Sequence, residues 1–185
     1  ALITLGTLGY YVFEAEGNLI GLTTPQKILS SLFMSVTTRT AGFNTMDLTT
    51  LSESGNLLSI ILMFIGGSPG STAGGIKTTT LAVVIISAIS MAKGSDDNRV
   101  FKKRLEDGIL KQAAVITYVY LGGVLIATMI ISWIEKLSMS TVMFEVVSAA
   151  ATVGLSKGIT PDLEVLSKII LIILMYVGRI GAISL

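Results

Sequence analysis

The octapeptide IILMFIGG at Ile60 to Gly67 returns 112 residues later as IILMYVGR at Ile172 to Arg179, and at the same ungapped offset TAGFN at Thr40 to Asn44 falls on TVGLS at Thr152 to Ser156. Apolar helices resemble one another by composition alone. Two separate blocks sharing one offset, one of them carrying a threonine and a glycine, instead make an internal repeat. The fold therefore has to be built twice from one plan.

Segment lengths say what that plan is. A helix rises about 1.5 Å per residue and the hydrocarbon core is roughly 30 Å thick. Ile109 to Ile134 and Val165 to Leu185 are long enough to cross. Gln26 to Thr38 and Thr141 to Ala151 are too short, so each enters the bilayer and turns back; the first starts just after Pro25, with Thr24 as its expected cap. Asn56 to Met91 is apolar but interrupted by GGSPGSTAGG at Gly66 to Gly75, and Ala1 to Phe13 reads as a truncated helix. Both chain ends lie inside apolar stretches, as expected of part of a longer membrane protein. The order is span, dip, span, twice over. Each unit crosses an even number of times, so the two keep one orientation and form a parallel repeat. The expected fold is an all-α membrane protein of tandem helix, pore-loop, helix repeats with one broken helix. One repeat covers 1–91, a connector 92–108, and the second repeat 109–185.

Composition agrees and removes whole classes of function. The chain is 51% hydrophobic and 14% charged, with a mean hydropathy of +0.80, against about a quarter charged residues in soluble domains. It has no cysteine and no histidine, which removes thiolate nucleophiles, Ser-His-Asp triads and HExxH zinc sites, so no enzyme is expected. A net charge of +1 gives no global field for nucleic acid. Six of the 13 basic residues fall between Met91 and Lys111, which makes the connector cytoplasmic by the positive-inside rule. Glu14, Glu16, Asp47, Glu53, Glu135, Asp162 and Glu164 outnumber the lysines on the opposite side. They would draw cations to the outer mouth or serve as ordinary solvated loops.

Non-helical backbone at membrane depth must face protein or water, because an unsatisfied amide facing lipid costs several kcal/mol. After each short helix the chain reaches a glycine, Gly42 or Gly154, that permits positive φ and lets successive carbonyls point at one axis. Carbonyl rings of that kind replace the hydration shell of a potassium ion, and TVG at Thr152 to Gly154 repeats half of the TVGYG signature of potassium channels. The competing reading of both glycines is a helix C-cap. Arg39 is costly at this depth, by about 2.5 to 3.5 kcal/mol or more, and is expected to pair with carbonyls or with a carboxylate, Glu145 being one candidate.

GGSPGSTAGGIKT at Gly66 to Thr78 cannot be regular helix. Its flanking apolar pieces are each too short to cross, so the break lies at membrane depth as a hinge or gate. A phosphate loop fails, because Ile76 separates Gly75 from Lys77, and a plain loop between two shorter spans is the other reading. Arg179 occupies in the second repeat the place of Gly67 in the first. It either latches the break across the ion path through Ser68, Ser71 or backbone carbonyls, or snorkels to the inner interface.

These motifs resemble the Ktr/Trk/HKT superfamily of potassium transporters, most closely its bacterial Ktr pore subunits. SVTTRTAGFNT at Ser35 to Thr45 and FEVVSAAATVGLS at Phe144 to Ser156 are similar to its third and fourth pore loops. GGSPGSTAGGIKT and YVGRIG at Tyr176 to Gly181 are similar to its gating loop and final-helix arginine. The resemblance implies that the chain is the C-terminal half of a four-repeat subunit. It assigns the filter to Thr38, Arg39, Thr40, Ala41 and Gly42 with Ala151, Thr152, Val153 and Gly154. The gate falls to Gly66, Gly67, Ser68, Gly70, Ser71, Gly74, Gly75, Lys77 and Arg179. It further implies K+ as the transported ion, with Na+ as a second candidate and no organic cofactor. A homodimer in the bacterial plasma membrane, regulated by a cytoplasmic ring of nucleotide-binding subunits, is expected as well.

Overall fold

A computed structural model describes residues 2–68, 73–92, 99–100, 103–104 and 107–181. The helices among the described residues are α1 (Leu2–Phe13), α2 (Thr24–Thr37), α3 (Glu53–Phe64), α4 (Thr78–Ala92), α5 (Asp107–Glu135), α6 (Met139–Ala150) and α7 (Val165–Gly181). Two-residue strands β1 (Arg99–Val100) and β2 (Lys103–Arg104) pair antiparallel in the basic connector, a detail without a signal in the sequence pattern. α5 begins at Asp107, inside the expected connector.

Local chemistry sets the ends. Before α2 the backbone N–H of Thr23 donates to Gln26 Oε1 at 2.9 Å, so Thr23 rather than Thr24 is the cap, and Pro25 sits in the first turn where no amide is needed. Ser52 Oγ accepts from the Gly55 amide at 2.9 Å and starts α3. The break between α3 and α4 falls where glycine and proline crowd the sequence.

α5 carries Tyr118 and Trp133 at 72% and 82% exposure, and Val115, Val119, Ile126 and Met129 are also exposed along it. Its apolar part, Leu110–Glu135, is long enough to cross a membrane. So much outward apolar area on a spanning helix belongs against lipid. The core instead gathers around the short helix α6, whose Val142, Phe144, Val146 and Val147 are fully buried. α3, α5 and α7 all pack on it, while α2 packs on α1. Gly178 lets α7 press its backbone on the carbonyl of Ala150, where any added Cβ would overlap that oxygen.

In each repeat one carboxylate joins the end of the first helix to the start of the third. Buried Glu14, just past α1, accepts from the Ser52 amide at 3.0 Å and the Ser52 hydroxyl at 2.7 Å, and from Asn18 Nδ2 at 3.0 Å. Glu135, at the end of α5, accepts from the Glu164 amide at 2.8 Å. Ser52 and Glu164 stand at the repeat offset, and each opens the helix that follows, where amides are unpaired and a negative charge is favoured. A Cβ on Gly55 would overlap Glu14 Oε1. Gly55→Ala should therefore cost about 1–3 kcal/mol by overpacking, read as a lower melting temperature of the detergent-solubilised full-length protein. An unchanged melting temperature would remove Glu14 from the clasp.

Candidate ion pathway

Both short helices end with loop amides turned back onto their own last turn, through different donor–acceptor pairs. In the first loop the Arg39 amide donates to Val36 O at 2.9 Å and the Ala41 amide to Thr37 O at 3.1 Å. In the second, the Thr152 amide donates to Ala149 O at 3.1 Å and the Val153 amide to Ser148 O at 2.9 Å. These donors turn back to the helix. Among the described residues, the carbonyls of Thr40, Ala41, Gly42, Thr152, Val153 and Gly154 receive no hydrogen bond.

The dihedral angles match as well. Positive φ occurs at Thr40 (71°) and Gly42 (78°), and again at Thr152 (56°) and Gly154 (89°), with Ala41 and Val153 on the ordinary side between them. Alternation of hand turns successive carbonyls toward one side, whereas extended backbone would alternate them. A β-branched residue in this region is strained by about 1–3 kcal/mol, and the strain stands at equivalent places in both repeats. Gly42 and Gly154 supply the freedom at the other two positions. Glycine is required at Gly42 for a second reason: a Cβ there would stand 2.7 Å from Val153 O and 3.7 Å from Gly154 Cα. The two loops face each other at their glycines.

Side chains brace each loop from behind. Thr37 Oγ1 donates to Phe43 O, and Ser148 Oγ donates to Leu155 O at 2.6 Å; the two carbonyls are equivalent at the repeat offset. Thr38 is buried, with its hydroxyl on Ser35 O at 3.0 Å, and Ala151 is fully buried. Glu145 is buried and does not pair with Arg39. It accepts instead from Ser156 Oγ at 2.8 Å, the Lys157 amide at 2.7 Å and Thr160 Oγ1 at 3.1 Å, because its own repeat's outgoing chain brings these donors over it. Arg39 Nη1 is buried with no hydrogen-bond partner among the described residues. Above the loop, Lys157 Nζ lies 5.7 Å from the centre of the Phe144 ring. Desolvation lowers its pKa, opposed by Glu53, Glu145 and Glu14.

The glycine-rich segment docks directly on the second loop. Its limbs are held together by the Ile76 amide on Phe64 O at 3.2 Å and the Thr78 amide on Gly67 O at 3.3 Å. Within it, the Gly74 amide donates to Thr152 Oγ1 at 3.0 Å. A Cβ on Gly74 would stand 2.6 Å from both Ala151 O and Thr152 Oγ1, and one on Gly75 3.3 Å from Ala151 Cβ. Gly66 abuts the Gly74 carbonyl with no room for a side chain. Lys77 Nζ donates to Ala73 O at 2.7 Å and ties the segment to itself. Gly67 is buried and Ser68 exposed, while Gly70 and Ser71 lie outside the described residues. Arg179 is exposed on the last turn of α7, next to the Gly178 contact with Ala150. Gly66 and Gly178 are thus equivalent in sequence but touch different partners.

The pattern of residue types did not disclose the strained threonines or the Gly74 contact. The one available signal was a threonine two residues before the glycine in both repeats. The Glu145 brace generates a direct expectation. Glu145→Ala should free the Lys157 amide and quicken hydrogen exchange over Ser156 to Thr160 by about tenfold, the loss of roughly one hydrogen bond. Unchanged exchange would show that the carboxylate braces nothing.

Three comparisons bear on this arrangement. Residues 13–185 match the family model TrkH, described as cation transport protein. The chain is 37% identical over 97% of its length to the potassium/sodium uptake protein NtpJ of Enterococcus hirae. It is 38% identical over its full length to the Ktr system potassium uptake protein D of Bacillus subtilis. It spans 41% of the length of each of these relatives. Its fold matches the crystal structure of the potassium transporter TrkH from Vibrio parahaemolyticus with a TM-score of 0.82 at 18% identity, over 98% of this chain and 41% of that one. A multi-pass membrane protein with paired re-entrant loops, the chain belongs to the TrkH family of cation transport proteins, within the Ktr/Trk/HKT superfamily.

Proposed function

We propose that this chain forms two of the four pore-loop repeats of a channel-like potassium uptake subunit in the bacterial plasma membrane. One observation carries the reading: two equivalent loops, facing each other at Gly42 and Gly154, present carbonyls that receive no hydrogen bond among the described residues. Such oxygens can replace the hydration shell of a potassium ion. Filter coordination falls to the backbone from Thr38 to Gly42 and from Ala151 to Gly154. Residues 1–91 and 109–185 act as the third and fourth repeats, joined by the connector 92–108. The packing supports further repeats: α3, α5 and α7 pack on α6, whereas α2 packs on α1 and leaves Ile28, Leu29 and Phe33 exposed.

A carrier with a midplane carboxylate is disfavoured, because buried Glu14 and Glu145 are both engaged in bracing helix ends and loops. The glycine-rich segment serves as the gate, with Lys77 as its internal tie and Arg179 as a latch on it from α7. The relatives named for potassium uptake, and one named for potassium and sodium uptake, support K+ as the cargo with Na+ as a second ion. A homodimer and a ring of cytoplasmic nucleotide-binding regulatory subunits acting on the gate complete the assembly.

In cells lacking potassium uptake, the full-length protein should restore growth at low potassium. Gly42→Ser or Gly154→Ser should abolish discrimination against sodium; undiminished selectivity in both variants would end the filter reading. Arg179→Ala should raise potassium flux by about tenfold if the latch holds the gate by one or two charge-assisted hydrogen bonds; unchanged flux would dismiss the latch.

A further inference from the structure

Thr40 and Thr152 are equivalent in sequence and in strained backbone conformation, yet their hydroxyls differ in one respect. Thr152 Oγ1 accepts the Gly74 amide at 3.0 Å, while among the described residues no hydrogen bond from the glycine-rich segment reaches Thr40. The acceptor belongs to a residue whose own carbonyl lies in the ion path, and the donor belongs to the gate. Gly74 is buried at this point, and its backbone sits so close to Ala151 O and Thr152 Oγ1 that any side chain would intervene at 2.6 Å. On the side of the glycine-rich segment the contact is made by backbone alone, and it meets the short, β-branched side chain of Thr152.

We infer that Thr152 is a positioning residue that makes the fourth filter loop and the gate a single two-state element. With the gate docked, the hydrogen bond holds the Thr152 side chain downward and helps keep its backbone at positive φ. When the gate swings away, the hydroxyl loses its donor and the strained backbone loses a restraint. Coupling between two sites is reciprocal. A cation that fixes the carbonyls of Thr152 and Val153 in the docked arrangement must then favour the docked gate, and an undocked gate must weaken cation binding at the fourth loop. Filter occupancy would thus report to the gate without any further protein. This rests on the potassium reading of the filter and adds to it a direction of control from ion to gate.

The test uses the full-length protein in a cysteine-free background, reconstituted in liposomes, with Ala73→Cys as a reporter of gate docking. Its modification by a water-soluble thiol reagent is followed at rising potassium concentrations. Potassium should slow modification, and Thr152→Val, which keeps the β-branched shape but removes the acceptor, should abolish most of that dependence. Thr152→Ser, which restores the hydroxyl, should return it. Gly74→Ala leaves every filter residue in place and wedges the gate from Ala151. It should speed modification severalfold at all potassium concentrations and flatten the dependence, at about the fivefold level of one neutral hydrogen bond. If the wild-type reporter ignores potassium while the liposomes still take it up, the coupling is overturned and the transport reading stands. The coupling is also overturned if Thr152→Val responds to potassium as the wild type does. Absence of potassium flux from the wild-type protein overturns both readings.

Discussion

A backbone carbonyl held at membrane depth without a hydrogen bond has to be met by water or by a cation, and that requirement organises the rest of this structure. Among the described residues the carbonyls of Thr40 to Gly42 and of Thr152 to Gly154 receive no hydrogen bond, and the surrounding elements keep them so. The short helices α2 and α6 absorb the loop amides. Thr37 and Ser148 fasten the chain just beyond the glycines, and Glu145 gathers the outgoing strand of the second loop. Each of these groups removes a donor that could otherwise swing in and fill the ion path.

Strain is the cost of that arrangement, and it is shared between the repeats. Positive φ at Thr40 and Thr152 is of order 1–3 kcal/mol each, and burial of α6 against α3, α5 and α7 offsets it. The fully buried apolar side chains Val142, Phe144, Val146 and Val147 contribute through close packing rather than by leaving water, since lipid is as apolar as the helix interface. The second loop is the better supported of the two, because its helix is enclosed on several sides while α2 keeps an open face. That asymmetry is what would be expected if further repeats close around α2. The chain path accounts for the contact at the second loop: α3 packs on α6 and leads into Gly66 and Gly67, and Gly74 and Gly75 then meet Ala151 and Thr152.

Much of this was legible in the sequence, because segment length and periodic recurrence are strong physical constraints. The 112-residue offset located both loops and both glycines, and the crowding of glycine and proline located the break; α2 and α6 end just before those two loops, and α3 ends at Phe64, just before the break. Pairing was much less accessible. Arg39 and Glu145 looked like natural partners, but Glu145 is claimed by hydroxyls and an amide of its own repeat, since local chain return brings them closer than any group across the interface. The Glu14 clasp was hidden for the opposite reason: its partner Ser52 is 38 residues away and unremarkable in type. The Thr152 hydroxyl meets the Gly74 amide from a backbone at φ 56°, a conformation that no residue pattern encodes for a threonine.

The central claim is that ions bind where the two loops face each other. The full-length protein crystallised with rubidium or thallium in place of potassium gives the most direct measurement, through anomalous scattering from the bound ion. The account predicts an anomalous peak ringed by the carbonyls of Thr40 to Gly42 and Thr152 to Gly154, and its disappearance in Gly154→Ser. A peak held by side-chain carboxylates elsewhere, with none between these loops, would contradict it.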